Sequence, residues 1–112
     1  MQLVIRATNL PVTDPIREHV SKRVLGAVKR FASRLSTVTV VLEDENGPRG
    51  GIDKACRIEA GLATTGEPVV VVDRSDDLYG AVDRATGRFK RALARRTERR
   101  NARQRRPRRA VA

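Results

Sequence analysis

The sequence predicts an α+β domain in which a four-stranded mixed sheet carries two helices on one face. Four short segments are rich in β-forming residues or alternate apolar and polar residues, two longer segments repeat apolar residues every three or four positions, and the segments follow the order β-α-β-β-β-α. The 112 residues are enough for one small domain, and a hydrophobic content of 39% allows only a modest core.

The first strand and the first helix are predicted near the N-terminus. Residues 2–8 are rich in β-forming side chains. Asp14 offers a carboxylate that can cap a helix, and Pro15 has a preset backbone angle that suits the first turn, so we expect a helix over 14–33. Its predicted buried stripe consists of Ile16, Val20, Val24, Ala27, Val28 and Phe31.

Three further strands are predicted to form an antiparallel meander, because short turn-rich connections join them. Two alternating segments span 37–44 and 55–62, and a Val-rich segment spans 68–73. Residues 45–51 are rich in Gly and predict a mobile loop, and residues 64–67 predict a hairpin turn. A right-handed crossover through the first helix would make the first two strands of the chain parallel.

The second helix is predicted to begin after residues 75–77, which place capping and acidic groups at its positive end. Helical periodicity continues to about Arg96 and then ends. We therefore divide the chain into a folded domain, residues 1–97, and an Arg-rich tail, residues 98–112, which we expect to be disordered. The predicted apolar stripe of this helix consists of Leu78, Val82, Ala85, Phe89 and Leu93.

The formal net charge of +11 is confined to the end of the chain. Residues 1–87 contain 12 basic and 12 acidic side chains, whereas residues 88–112 contain 12 basic side chains and one acid, Glu98. A neutral body with a cationic end favours a polyanionic partner, although an Arg-favouring genome would give a similar end. Anionic lipid is a weaker alternative, because the tail lacks large apolar side chains. The arginines of the tail are Arg99, Arg100, Arg103, Arg105, Arg106, Arg108 and Arg109.

Composition excludes several classes of protein. The longest apolar run, residues 69–72, is far too short to cross a bilayer, and the N-terminus lacks the pattern of a signal peptide. Cys56 and His19 are each the only residue of their type, so we expect neither an internal disulfide nor a zinc site. We expect a cytoplasmic protein with no metal, cofactor, small-molecule substrate or membrane partner.

No combination of residues predicts catalysis. His19 has no nucleophile within sequence range and is expected to be a surface residue. Cys56 alternates in phase with Ile58 and Leu62 and is expected to be a small core residue. We therefore expect that the protein is not an enzyme.

The second helix carries the sharpest signal for binding. A strip of four arginines, spaced by four, three and four residues with no acid among them, consists of Arg84, Arg88, Arg91 and Arg95. We expect this strip to face solvent. Phosphate groups would bind it well, because Arg offers a bidentate fork, and a merely solvated basic face is the alternative.

The first helix adds a basic edge that would extend this strip if the two helices lay side by side. The cations of this edge are Lys22, Arg23, Lys29, Arg30 and Arg34. Two ordinary amphipathic helices would show similar residues, so this edge is weaker evidence than the strip. Gly80 and Gly87 are placed on the outer side of the second helix, where each costs about 1 kcal/mol relative to Ala. They either let a partner's backbone approach closely or reflect neutral drift.

Several segments match the pattern of a known family in the same order. Residues 5–9 and 12–14 look like its first strand and helix entry, and residues 16–31 look like its first helix. The strongest match, Asp77–Asp83, is similar to the acidic-Tyr-Ala-Ile-Asp signature that opens its second helix. Over residues 2–97 the chain thus resembles the ribosome hibernation promoting factors and ribosome-associated inhibitors, also called sigma-54 modulation proteins.

The resemblance implies a non-catalytic stress factor that occupies the tRNA and mRNA channel of the small ribosomal subunit, inhibits translation and promotes hibernation. It implies a short form of the family, which lacks the second, dimerising domain. It also implies structural roles for Tyr79 and Asp83 at the entry of the second helix. The rRNA-binding residues that it implies are Lys22, Arg23, Lys29, Arg30, Arg84, Arg88, Lys90, Arg91 and Arg95.

Two other functions stay open on the sequence alone. The Arg-rich tail would suit a general RNA- or DNA-binding module, and the older family label suits a protein-interaction module that regulates transcription. We expect a monomer, with a weak dimer left open by an exposed sheet edge. Pairing of ribosomes and silencing of single ribosomes are equally open.

Overall fold

The computed structural model describes the backbone of residues 1–45, 53–63 and 66–109, and the side chains of these ranges as far as residue 97. The expected loop, 45–51, lies outside the described residues from residue 46 onward, as does part of the expected turn. The predicted element order is confirmed: β1 (Gln2–Thr8), α1 (Asp14–Val28), a 3₁₀ helix (Lys29–Arg34), β2 (Leu35–Asp44), β3 (Lys54–Leu62), β4 (Pro68–Ser75) and α2 (Leu78–Arg109).

The four strands form one mixed sheet in the order β1-β2-β3-β4, with β1 and β4 at its edges. β1 runs parallel to β2 and the two later pairs are antiparallel, as the crossover and the meander predict. One row of paired residues faces the helices across all four strands: Ile5, Val40, Ile58 and Val71. The predicted α+β fold class is confirmed. None of the helices within the described ranges is long and apolar enough to cross a membrane.

The core lies between this face of the sheet and the apolar stripes of both helices. Phe89 of α2 and Cys56 of β3 are fully buried, which confirms the predicted place of Cys56 in the core. Burial raises the pKa of the Cys56 thiol to about 12, with a further contribution from the charge of Asp73. The thiol is therefore protonated at neutral pH. The buried residues of α1 recur every four positions: Ile16, Val20, Val24 and Val28.

Both ends of α1 differ from the prediction. The N-cap is Thr13 rather than Asp14, because the Thr13 hydroxyl accepts a hydrogen bond from the Ile16 N–H at 3.4 Å. Asp14 then stands in the first turn. The α-helix ends at Val28 and tightens into the 3₁₀ helix, instead of continuing to residue 33. Val28 and Phe31 are both buried at a spacing of three residues, which suits the three-residue turn of a 3₁₀ helix.

The start of α2 agrees with the prediction. The Asp77 carboxylate accepts a hydrogen bond from the Gly80 N–H at 3.1 Å, which satisfies a backbone donor of the first turn. The Ser75 hydroxyl accepts one from the Asp77 N–H at 3.3 Å. The run at 75–77 therefore caps the helix.

The end of α2 does not agree with the prediction, because the helix runs to Arg109 instead of ending near Arg96. Residues 97–106 contain no Gly or Pro and consist mostly of good helix formers, so propensity continues the helix after the apolar stripe has ended. The side chains beyond residue 97, and residues 110–112 altogether, lie outside the described part of the chain. The functional division at residues 97 and 98 stays a prediction.

Candidate nucleic-acid interface

A groove of about 590 Å³ lies between α1 and α2, which pack side by side. Lys22, Arg23 and Gly26 line the α1 wall, and Asp83, Gly87 and Lys90 line the α2 wall. The neighbouring helices thus combine cations that are far apart in the sequence in one concave surface.

Asp83 connects the two walls of the groove. Its Oδ1 lies 2.8 Å from His19 Nε2 and 3.2 Å from Arg23 Nε, both on α1. The Tyr79 ring packs edge-on against the His19 ring, with centroids 4.8 Å apart. These contacts fit the structural roles that the resemblance implies for Tyr79 and Asp83. His19 lines the open groove, as expected of a surface residue, but it is half-buried and bonded across the helices, which the sequence did not indicate.

The groove is cationic and open to solvent. The side chains of Lys22, Arg23 and Lys90 are exposed, and Asp83 is the one carboxylate among the described residues that line it. Arg23 is held by Asp83, whereas the two lysine ammonium groups make no ion pair with a described carboxylate. Three positive side chains against one negative side chain leave the groove with a net positive charge.

The other flank of α2 packs over the edge strand β4, and a carboxylate there offsets part of its positive charge. Arg84 Nε lies 3.3 Å from Asp73 Oδ1, and Arg88 Nη1 lies 3.8 Å from Asp73 Oδ2. Arg88 Nη1 also donates a hydrogen bond to the Val72 carbonyl at 2.8 Å, which ties α2 to the sheet edge. The strip is free of acids along the sequence but not in space, because Asp73 comes from another element.

Asp73 is the centre of this second flank. Burial alone would raise its pKa, but the Arg74 N–H donates to its Oδ1 at 2.8 Å, and the guanidinium groups of Arg84 and Arg88 add further attraction. The result is that the pKa of Asp73 falls below its ordinary value of 3.8. Asp73 is therefore ionised at neutral pH and competes with any phosphate for these two arginines.

The remaining predicted residues are spread over the helical layer. Arg91 Nη1 lies 3.5 Å from the position that a Cβ on Gly87 would occupy, at the rim of the groove. Arg95 borders a separate shallow depression above β4. The Arg30 guanidinium lies 5.1 Å from the ring centroid of Phe31, and Lys29 is exposed where α1 meets the 3₁₀ helix. The structure thus brings Lys22, Arg23, Lys90 and Arg91 together and separates the other five predicted residues from them.

Glycines stand on both walls of the groove. Among the described residues, a Cβ on Gly26 would meet no heavy atom within 4 Å, and a Cβ on Gly87 would meet only Arg91. Gly80 is different, because a Cβ there would lie 2.9 Å from the Ser75 hydroxyl. Thr86, also in the lining, is buried, and its hydroxyl has no hydrogen-bond partner among the described residues.

The described residues offer no metal site. No three His, Cys, Asp or Glu side chains among them are placed to hold an ion. The fully buried Asp53 accepts a hydrogen bond from Lys54 Nζ at 3.0 Å, and the same ammonium lies 3.4 Å from Asp44. Asp53 above all raises the pKa of Lys54, so this cluster is a structural ion pair at the β2–β3 end of the sheet.

Comparison with known proteins finds relatives over almost the whole chain. A ribosome hibernation promoting factor from Azotobacter vinelandii is 29% identical over 104 residues, which cover 93% of this chain and 90% of that protein. The N-terminal domain of Thermus thermophilus Protein Y is 29% identical, covers 84% of this chain and 93% of its own, and superimposes with a TM-score of 0.64. A ribosomal subunit interface protein from Coxiella burnetii shares the fold, with a TM-score of 0.74 at 16% identity over 88% of this chain and 99% of its own.

The match to a family is equally extensive. The sequence model described as "Sigma 54 modulation protein / S30EA ribosomal protein" matches residues 3–101, which include α1, β2, β3 and β4 in full, β1 from Leu3 onward and α2 as far as residue 101. The chain belongs to the sigma 54 modulation protein / S30EA ribosomal protein family.

Proposed function

We propose that this protein binds the small ribosomal subunit in the channel used by tRNA and mRNA, and that it thereby inhibits translation and promotes ribosome hibernation. The observation that carries the proposal is the cationic groove between α1 and α2, in a chain whose family and relatives are named for ribosomes. The protein acts without catalysis, in the cytoplasm, by occupying space that translation needs.

The proposed contacts are to rRNA phosphates. Lys22 and Lys90 supply point charges, and Arg23 supplies a guanidinium whose position is fixed by Asp83. Aromatic residues make up only 3% of the chain, so few rings can stack on bases. Recognition therefore depends on the shape and the backbone of folded RNA more than on its sequence.

A second candidate function, general polyanion binding, is favoured by the segregation of charge. The whole net charge of +11 falls within residues 88–112, and the α2 backbone is helical as far as Arg109. In that case residues 98–112 supply most of the affinity by releasing counterions, with no preference for ribosomes.

Co-sedimentation with purified small subunits tests both candidates. We expect the full chain and a variant truncated after residue 97 both to pellet with small subunits, and we expect mRNA and tRNA bound beforehand to reduce that binding. If bound mRNA and tRNA do not reduce the binding, the protein does not occupy the channel. If truncation abolishes binding, and the full chain binds duplex DNA as well as it binds subunits, the second candidate holds instead.

A further inference from the structure

We infer that the groove between α1 and α2 admits the sugar–phosphate backbone of a single RNA strand, and that Gly26 and Gly87 keep its two walls low enough for that strand to enter. This inference rests on the proposed function and assigns the part of the interface that the RNA enters. It distinguishes a shaped groove from a flat basic surface.

The fold does not require a glycine at position 26 or at position 87. Gly is the least favourable helix residue after Pro, and both positions lie within helices. A Cβ on Gly26 would stand in open space, and one on Gly87 would make only ordinary contact with the mobile end of Arg91. The described atoms of the protein therefore leave room for a better helix former at either position.

Gly80, the helical glycine outside the groove, does have a structural reason. A Cβ on Gly80 would lie 2.9 Å from the Ser75 hydroxyl, which belongs to the capping run of α2. The helical glycines of the described chain therefore separate into one that packing demands and two that face each other across the groove.

Positively charged side chains surround the two glycines of the groove. Lys22 and Arg23 stand on the Gly26 wall, and Lys90 stands on the Gly87 wall with Arg91 at the rim. A cavity of this size holds a ligand the size of a short piece of nucleic acid, since drug-sized ligands occupy about 300–1,000 Å³. Positive side chains on both sides of a narrow floor suit the phosphates of a single strand.

Alanine substitutions separate this inference from neutral drift. Gly26→Ala with Gly87→Ala is expected to raise the Tm by about 8 °C, because both helices gain propensity. The same variant is expected to bind small subunits about tenfold more weakly, because two methyl groups raise the walls of the groove. Thermal unfolding and co-sedimentation titrations measure the two effects, and Gly87→Ala alone is the fallback if the double variant does not fold.

Gly80→Ala is the matched control, since it makes the same chemical change in α2 outside the groove. It is expected to lower the Tm and to leave the affinity of the folded protein unchanged. If the groove variant has a higher Tm and an unchanged affinity, RNA does not enter the groove in the way inferred, but the proposed function still holds. An equal loss of affinity in the control would also overturn this inference, and a wild-type protein that fails to bind small subunits would overturn both proposals.

Discussion

The two flanks of α2 carry the same kind of side chain in different surroundings. On the α1 side, Lys90 faces an open groove with Lys22 and Arg23 on the opposite wall. On the β4 side, Arg84 and Arg88 share the Asp73 carboxylate. One helix thus presents a cation that no described carboxylate holds on one flank, and cations already engaged by its own fold on the other.

Spacing along a helix therefore does not establish which arginines remain available to a partner. Arg84 and Arg88 form the first half of a regular strip, yet both anchor α2 to the sheet edge. Lys90 stands outside that strip and reaches the groove. The partner that each flank meets in the fold decides between anchoring and binding.

Removing charge from each flank in turn is the strongest test of this comparison. Lys22→Gln with Lys90→Gln is expected to weaken binding to small subunits about thirtyfold, since each lost phosphate contact costs about 1 kcal/mol. The slope of log affinity against log salt should fall by about 1.4. The matched pair, Arg84→Gln with Arg88→Gln, should change affinity far less. The comparison fails if the two pairs weaken binding equally while both proteins stay folded.

A smaller effect is expected from removing the carboxylate that holds the β4 flank. Asp73→Asn should lower the free energy of unfolding at pH 7 by about 1 kcal/mol, because two exposed guanidinium groups lose an ionised partner. The pKa of Asp73 is lower in the folded protein than its ordinary value of 3.8, so this stabilisation is complete above that pH and is lost as the pH falls through the folded pKa. Urea denaturation of both proteins between pH 7 and pH 2 measures it. A stability difference that persists at pH 2 would show that the charge of Asp73 is not its source.

The smallest effect is expected at the buried thiol beneath this flank. Cys56 pairs with Asp73 in the β3–β4 register, and burial contributes more than the Asp73 charge to raising its pKa to about 12. After Asp73→Asn, labelling of Cys56 by a disulfide reagent at pH 8 should rise no more than the unfolding equilibrium does, about fivefold. A larger rise in labelling would mean that Asp73 protects this flank from local unfolding.

The fold was predictable because local pattern and packing agree. The stripe of α1 and the alternation around Cys56 and Ile58 each allow one buried face, and the capping run before Leu78 marks the start of α2. The end of α2 was not predictable from the apolar stripe, because helix propensity extends the backbone helix past the stripe to Arg109.

The candidate site was predictable only in part. Lys22, Arg23 and Lys90 could be assigned to the outer faces of helices, but their meeting depends on how the two helices pack. The bond between His19 and Asp83 joins residues 64 positions apart, and Asp73 reaches the arginines of α2 from a strand. Neither contact has a local signal in a single sequence.

The continuous helix of α2 also determines how far apart two attachments can be. Its 32 residues extend about 48 Å, and about 33 Å separates Gly87 from Arg109. If RNA occupies the groove, a second contact at the distal end of α2 becomes an intramolecular event. The helix, rather than a flexible chain, then sets the distance between the two contacts. Two weak contacts at a fixed separation would then favour polyanions whose folded surface offers phosphates at both points.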